Sequence, residues 1–140
     1  MIHYQIDITE GSYQSYRDSV ERIDDLRPLI YPDGAFVNCC GYLRTDAAPN
    51  VSLCVAAVRE HGVFLGWRSE GRIYLSLHNR SKLSEVADVW GDGLDVSVKL
   101  FLPPEKAWRG MEEFADIGGR WREIRWIRET DIPEGGNYII

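Results

Sequence analysis

The 140-residue sequence predicts an α+β fold, with one largely antiparallel sheet of about six to eight strands and two main helices packed on it. Three observations lead to this prediction. Short β-rich runs fill the middle of the chain, turn residues separate them, and apolar residues recur with helical spacing near both ends. The chain shows no linker or repeat and is long enough to bury a core, so we expect a single domain over residues 1–140.

The first elements are predicted as a strand and a helix. Residues 2–8, IHYQIDI, alternate apolar and polar side chains, which is typical of a half-buried strand. Ser12 and Ser15 are candidate N-caps for a helix that ends at Pro28. This helix is expected because apolar residues recur every three or four positions, at Tyr13, Tyr16, Val20, Ile23 and Leu26.

The middle of the chain is predicted as strands joined by hairpins. The turn residues YPDG at 31–34 come first, and a loop is expected at 45–50. Asp92-Gly93 lies between two further β-rich runs, which is a strong short-range hairpin signal. The four main strands, of which the last two form a hairpin, are expected at 35–44, 51–60, 63–67 and 72–77.

A second helix is predicted after Pro103-Pro104, because proline is tolerated in a first helical turn. Gly118-Gly119 is expected to end it. A last strand, REIRWI at 122–127, is expected to turn Ile124 and Trp126 toward the core. The apolar face of the helix is Ala107, Trp108, Met111, Phe114 and Ala115.

The charge balance favours a protein partner over nucleic acid. The formal net charge is −6 and the isoelectric point is about 5.0, so the chain repels phosphate backbones and attracts a basic partner. Solubility alone is an equally good explanation of this acidity. The segment RWREIRWIR at 120–128 interleaves basic and aromatic residues, as in surfaces that stack on bases, but neighbouring acids neutralise it.

The cysteines and the N-terminus indicate a reduced cytoplasmic protein. The three cysteines, Cys39, Cys40 and Cys54, contain no CxxC pair, and adjacent Cys39 and Cys40 are expected on opposite faces of a strand. The first residues lack the pattern of a signal peptide, and no apolar run approaches membrane-spanning length. We therefore expect no membrane association.

No catalytic or metal-binding motif stands out. His3, His61 and His78 lack metal-ligand spacing, so neither a metal nor a cofactor is expected. A nucleophile formed by Cys39 or Cys40 with His61 or His78 stays open, because it depends on proximity in space. The absence of such a motif favours a protein that is not an enzyme.

The residues predicted to bind a partner are acids beside the hairpin turns, together with two tryptophans. If successive hairpins stack side by side, some of these acids gather at common rims and suit a cationic groove. Tryptophan supplies binding anchors, and Trp121 is a further candidate. The predicted binding residues are Glu60, Trp67, Glu70, Asp88, Trp90, Asp92 and Asp95.

The segments GVFLGW, RIYLSLHN and VWGDGLDVSVKLFLPPEKAWRGMEEFADIGGRWREIRW give the chain a family resemblance. In this order it resembles the immunity proteins of bacterial polymorphic toxin systems, in particular the widespread Imm-type family. The resemblance covers roughly residues 60 to 128. Its motif positions, expected to be structural, are Pro104, Trp108, Phe114, Gly118 and Trp126.

The resemblance implies a cytoplasmic inhibitor, a monomer or weak homodimer, that occludes the active site of a cognate toxin domain. The resemblance also implies that the toxin is a nuclease or a nucleic-acid deaminase, whose substrate groove is usually basic. Two alternatives from other classes stay open. One is a small-molecule-binding or enzymatic domain with a pocket between sheet and helices. The other is a homo-oligomeric module that uses an exposed sheet edge.

Overall fold

The computed structural model of the protein describes residues 1–78, 83, 85–88 and 95–132. Among these residues, seven strands form one antiparallel sheet in the order β2-β1-β3-β4-β5-β6-β9, and β7 pairs with β8 separately. The α+β prediction is therefore confirmed. The strands are β1 (Ile2–Ile8), β2 (Gln14–Val20), β3 (Cys39–Thr45), β4 (Ala48–Val58), β5 (Gly62–Ser69), β6 (Arg72–Leu77), β7 (Val86–Asp88), β8 (Asp95–Ser97) and β9 (Arg125–Arg128).

In the same described residues, two α-helices, α1 (Arg27–Ile30) and α2 (Pro104–Ile117), accompany the sheet. Short 3-10 helices occupy Ile23–Leu26, Pro32–Gly34, Val98–Leu100 and Glu129–Asp131.

The predicted first helix is wrong over most of its length, because its residues form β2. Strands β1 and β2 pair over seven positions, from Ile2 opposite Val20 to Ile8 opposite Gln14. Two members of the expected helical stripe, Tyr16 and Val20, also share one face of a strand, so the spacing fits both structures. Helical structure begins only at Ile23, and Pro28 lies inside α1 instead of ending a helix.

The central hairpins are confirmed, with shifted ends. Strands β3 and β4 replace the strands expected at 35–44 and 51–60, and the expected 45–50 loop shrinks to a turn at 46–47. Strands β5 and β6 form the expected hairpin. Strands β7 and β8 pair as the Asp92-Gly93 signal requires, and the turn itself lies outside the described residues.

Helix α2 begins and ends as predicted. Pro104 starts it, and Gly118 ends it in the left-handed conformation with φ 72°. A Cβ at Gly118 would lie 2.2 Å from the Ala48 side chain, so glycine is required there for space as well as for conformation. The last strand is shorter than expected, because β9 begins at Arg125.

Each face of the sheet carries its own apolar core. We call the face covered by α2, α1 and the 3-10 helix Ile23–Leu26 the helix face, and the other the opposite face. The helix face packs a large core that includes Ile6, Leu43, Leu65, Met111 and Phe114. The opposite face packs a smaller core, mainly over β4 to β6, that includes Phe64, Leu75, Leu100, Phe101 and Ile127.

A buried serine on β6 links this strand to β5 and to the segment before α2. Ser76 is fully buried, and its hydroxyl accepts a hydrogen bond from Leu65 N–H and donates one to the Leu100 carbonyl, each 2.9 Å long. The hydroxyl thereby pairs backbone groups that burial separates from water. Within the described residues, no helix is long and apolar enough to cross a lipid bilayer.

Candidate protein-binding surface

Aromatic and arginine side chains meet on the helix face beyond the C-terminal end of α2. We call this group the arginine–aromatic surface and define it as Trp67, Tyr74, Arg120 and Arg128. Strand pairing creates it: Trp67 on β5 lies opposite Tyr74 on β6, which lies opposite Arg128 on β9. Arg120 reaches the same place from the loop after α2.

The arginine–aromatic surface is held together by ring contacts. The guanidinium carbon of Arg120 lies 3.8 Å from the centre of the Tyr74 ring and 5.0 Å from that of Trp67. The two rings meet edge to face, 6.0 Å apart with 62° between their planes. Arg128 lies 5.9 Å from the Tyr74 ring. Arginine on an aromatic face is a favourable arrangement, so Arg120 is held between the two rings.

A hydrogen bond fixes the orientation of Trp67. Its indole N–H donates to the Gly118 carbonyl, 2.9 Å away, at the end of α2. The ring is half-buried, as is that of Tyr74, while Arg120 and Arg128 are exposed. Within the described residues, no ion pair joins either arginine to a carboxylate. The surface therefore offers rigid rings and uncommitted N–H donors to solvent.

A shallow depression lies along the first half of α2. Its volume is about 600 Å³. Arg109 and Trp121 both line it, and the Arg109 guanidinium lies 5.3 Å from the centre of the Trp121 ring. Trp126 donates its indole N–H to the Trp121 carbonyl over 3.1 Å. The residues that line the depression are Pro103, Glu105, Lys106, Arg109, Trp121 and Glu123.

The described acids that the sequence singled out do not gather at one rim. Glu60 follows β4 and Glu70 follows β5, so they occupy opposite ends of β5 and do not share a rim. Asp88 and Asp95 are exposed and face each other across the β7–β8 pair. Trp90 and Asp92 lie outside the described residues. Of the predicted binding residues, Trp67 lies in the arginine–aromatic surface, where its ring contacts Arg120.

The family-motif positions have the structural places expected of them, with one correction. Pro104 begins α2, Gly118 ends it, and Trp108 and Phe114 are buried in the helix-face core. Trp126 was expected to fill the core, but it is half-buried at the rim, because β9 is the edge strand.

The Trp108 ring contacts Tyr31, Phe36 and Arg27, and its indole N–H has no hydrogen-bond partner among the described residues.

The sequence did not single out Tyr74, Arg120 or Arg128 as binding residues. Both arginines belong to the RWREIRWIR segment, which interleaves basic and aromatic residues. The missing information was the β6–β9 pairing, which brings Arg128 against Tyr74 across 54 positions of the chain.

A serine, a histidine and an aspartate also form a series of hydrogen bonds at the start of β1. His3 Nδ1 lies 2.6 Å from Ser19 Oγ, and Nε2 lies 2.8 Å from Asp46 Oδ1. The Asp46 side chain is 61% exposed and that of His3 is 47% exposed, so water screens these contacts. Contacts with His3 and the N-terminal amine lower the pKa of the Asp46 carboxyl. These hydrogen bonds link β1 to β2 and to the β3–β4 turn, and we interpret their role as structural.

The cysteines lie on both faces of the sheet, as predicted. Cys39 is buried in the helix-face core, while Cys40 packs against the smaller core. Burial raises the pKa of the Cys39 thiol to about 12 and that of Cys54 to about 12, which disfavours the nucleophilic thiolate. Burial also raises the pKa of Cys40, with the Asp7 carboxylate adding to the effect.

Within the described part of the chain, no hydrogen bond joins a cysteine to a histidine, and no group of three or more His, Cys, Asp or Glu side chains forms a metal-ligand set.

No family model, curated protein or solved structure matches this chain.

Proposed function

We propose that this protein is an immunity protein: a non-enzymatic domain that binds a cognate bacterial toxin domain and occludes its active site. The proposal is supported by the resemblance of residues 60 to 128 to immunity proteins. It rests above all on one observation, the arginine–aromatic surface on the helix face, where Arg120 lies 3.8 Å from the Tyr74 ring.

The composition of this surface suits protein binding. Tryptophan, tyrosine and arginine are the residues most enriched among those that dominate binding energy at protein interfaces. Trp67 is fixed by its hydrogen bond to Gly118, and Arg120 is held against the rings. A partner therefore orders few side chains when it binds, which lowers the entropic cost of association.

The net charge of −6 supports a cationic toxin as the partner. Opposite net charges accelerate encounter at long range. A nuclease or nucleic-acid deaminase domain fits this requirement, because its substrate groove must attract phosphates.

Titration of the protein with the toxin domain encoded beside it tests the proposal. We expect a one-to-one complex by isothermal titration calorimetry and loss of toxin activity at equimolar protein. Tyr74→Ala should weaken the complex by about tenfold or more, equivalent to about 1.4 kcal/mol, because it removes the ring beneath Arg120.

Tyr42→Ala is the matched control, because Tyr42 is a half-buried tyrosine under an arginine on the opposite face. It should leave the affinity unchanged. Absence of a complex at micromolar concentrations would overturn the proposal.

A second candidate function, binding of a small molecule, is favoured by the depression along α2. Its volume of about 600 Å³ lies within the range of ligand sites, and Trp121 supplies an apolar wall. Against this, the depression is shallow and covers little of a bound molecule. A metabolite that raises the unfolding temperature in the wild type but not in Trp121→Ala would favour this candidate.

A further inference from the structure

The partner's contact with the arginine–aromatic surface has a definite chemistry. We propose that this surface binds an acidic loop of the partner protein, with a carboxylate held by the Arg120 guanidinium. The inference deepens the proposed function and rests on it for the identity of the partner. In the sequence-based prediction, acids on this protein bind a cationic groove of the partner. Here an arginine on this protein binds an acid on the partner.

The stacking of Arg120 leaves its hydrogen-bonding edge available. The guanidinium carbon lies over the Tyr74 ring, 3.8 Å from its centre, a distance that suits stacking through the flat face of the group. The N–H donors lie in the guanidinium plane and form a fork that matches the two oxygens of a carboxylate. No ion pair within the described residues occupies this fork.

The surroundings of Tyr74 are locally positive. Arg128 lies directly opposite Tyr74, and Arg72 is two residues earlier on β6 and so on the same face. Arg72, Arg120 and Arg128 therefore place three positive charges around Tyr74, in a chain whose net charge is −6. Within the described residues, none of these three side chains forms an ion pair. A carboxylate of the partner would therefore supply the negative charge that pairs with them.

A protein loop fits this surface better than a nucleic acid does. An extended polyanion would meet the repulsion of the whole chain, whose net charge is −6. One or two carboxylates on a loop feel mainly the charges within a Debye length, about 8 Å at physiological ionic strength. The half-exposed Trp67 and Tyr74 rings would also cover the apolar carbons of such a loop.

Nuclear magnetic resonance titration with defined peptides tests the inference on the full chain. The probe is a capped glycine–serine peptide with Glu-Leu-Glu at its centre, and its twin carries Gln-Leu-Gln. We expect the Glu peptide to shift the Trp67 indole N–H and the Arg120 Nε–H signals, while the Gln peptide leaves them in place. Arg120→Ala should weaken the Glu-peptide interaction by about tenfold or more.

Arg44→Ala is the matched control, because Arg44 stacks on Tyr42 at 5.4 Å on the opposite face. It should leave the peptide affinity unchanged. Arg120 is exposed, and circular dichroism should show equal unfolding temperatures for both variants and the wild type. Equal binding of the two peptides, or an equal loss in Arg44→Ala, would overturn the inference. Tighter Arg120-dependent binding of the oligonucleotide dT12 would overturn it in favour of a nucleic acid.

The toxin titration separates failure of the inference from failure of the proposed function. If the wild type does not bind the toxin domain, the proposed function fails, and the peptides still test the surface. If the wild type and Arg120→Ala bind the toxin domain equally and the peptides do not bind, only the inference fails.

Discussion

Each face of the sheet carries a tyrosine with an arginine stacked on it, and the two pairs differ in their surroundings. On the opposite face, Arg44 lies 5.4 Å from Tyr42, whose hydroxyl donates to Gln5. On the helix face, Arg120 lies 3.8 Å from Tyr74 and also contacts Trp67. Stacking alone is therefore no sign of a binding site. The helix-face pair stands out because two rings share one arginine and further arginines surround it.

The cores beneath the two faces also differ, and the first prediction tests whether they fold together. Phe114 in the helix-face core and Phe64 in the smaller core are both fully buried. Each substitution to alanine should lower the free energy of unfolding by about 3–5 kcal/mol, because it removes a large apolar side chain and leaves a cavity. Urea unfolding followed by tryptophan fluorescence and far-ultraviolet circular dichroism measures both values.

The two signals should change together in both variants if the shared sheet makes one cooperative unit. A Phe64→Ala variant whose two signals change at different urea concentrations would show that the smaller core is an independent and weaker unit.

Thiol reactivity tests the burial of Cys39 on the helix face. Burial raises the pKa of Cys39 from 9.0 to about 12, so at pH 8 its thiolate fraction is about a thousandfold below that of a free thiol. Iodoacetamide should therefore label Cys39 in a Cys40→Ser, Cys54→Ser variant about a thousandfold more slowly than in urea. Mass spectrometry measures both rates. Labelling of native Cys39 at the rate found in urea would contradict its burial.

The next prediction concerns the hydroxyl that joins β5, β6 and the segment before α2. Ser76→Ala leaves Leu65 N–H and the Leu100 carbonyl unpaired in a buried place, so it should cost about 1–3 kcal/mol of unfolding free energy. Ser69→Ala is the control, because Ser69 on β5 is a half-buried serine on the same face of the sheet as Ser76, and its substitution should change stability little. Chemical denaturation measures both variants. Equal stabilities for the two would show that the Ser76 hydrogen bonds add nothing.

The sequence predicted those elements whose local signals agree with one another. Helix α2 has a proline start, an apolar stripe and a glycine stop, and the β5–β6 hairpin has two apolar runs around a Glu70-Gly71 turn. Strand β2 was mistaken for a helix because Tyr16 and Val20 fit both periods. Only its seven-position pairing with β1, a tertiary interaction, decides between the two structures.

The candidate site was predictable only in part, because it depends on contacts between distant segments. Trp67 was expected to anchor an interface, and it lies in the arginine–aromatic surface. Successive turns of an antiparallel sheet alternate between its two ends, which places Glu60 and Glu70 far apart. The meeting of Arg120 and Arg128 over Tyr74 depends on where the chain turns back after α2, and local patterns do not specify this.

The smallest expected effect concerns the start of β1, where Asp46 contacts His3 and the N-terminal amine. These contacts lower the pKa of Asp46 in the folded protein, so the carboxylate stabilises the fold above its unfolded pKa, near 3.9. This contribution is lost as the pH falls through the lower, folded pKa. In Asp46→Asn, urea midpoints measured between pH 6 and pH 2 should therefore fall less steeply with acid than in the wild type. Because the side chain is 61% exposed, salt should weaken the difference. Identical pH profiles for the two proteins would show that the charged contacts of Asp46 add nothing to stability.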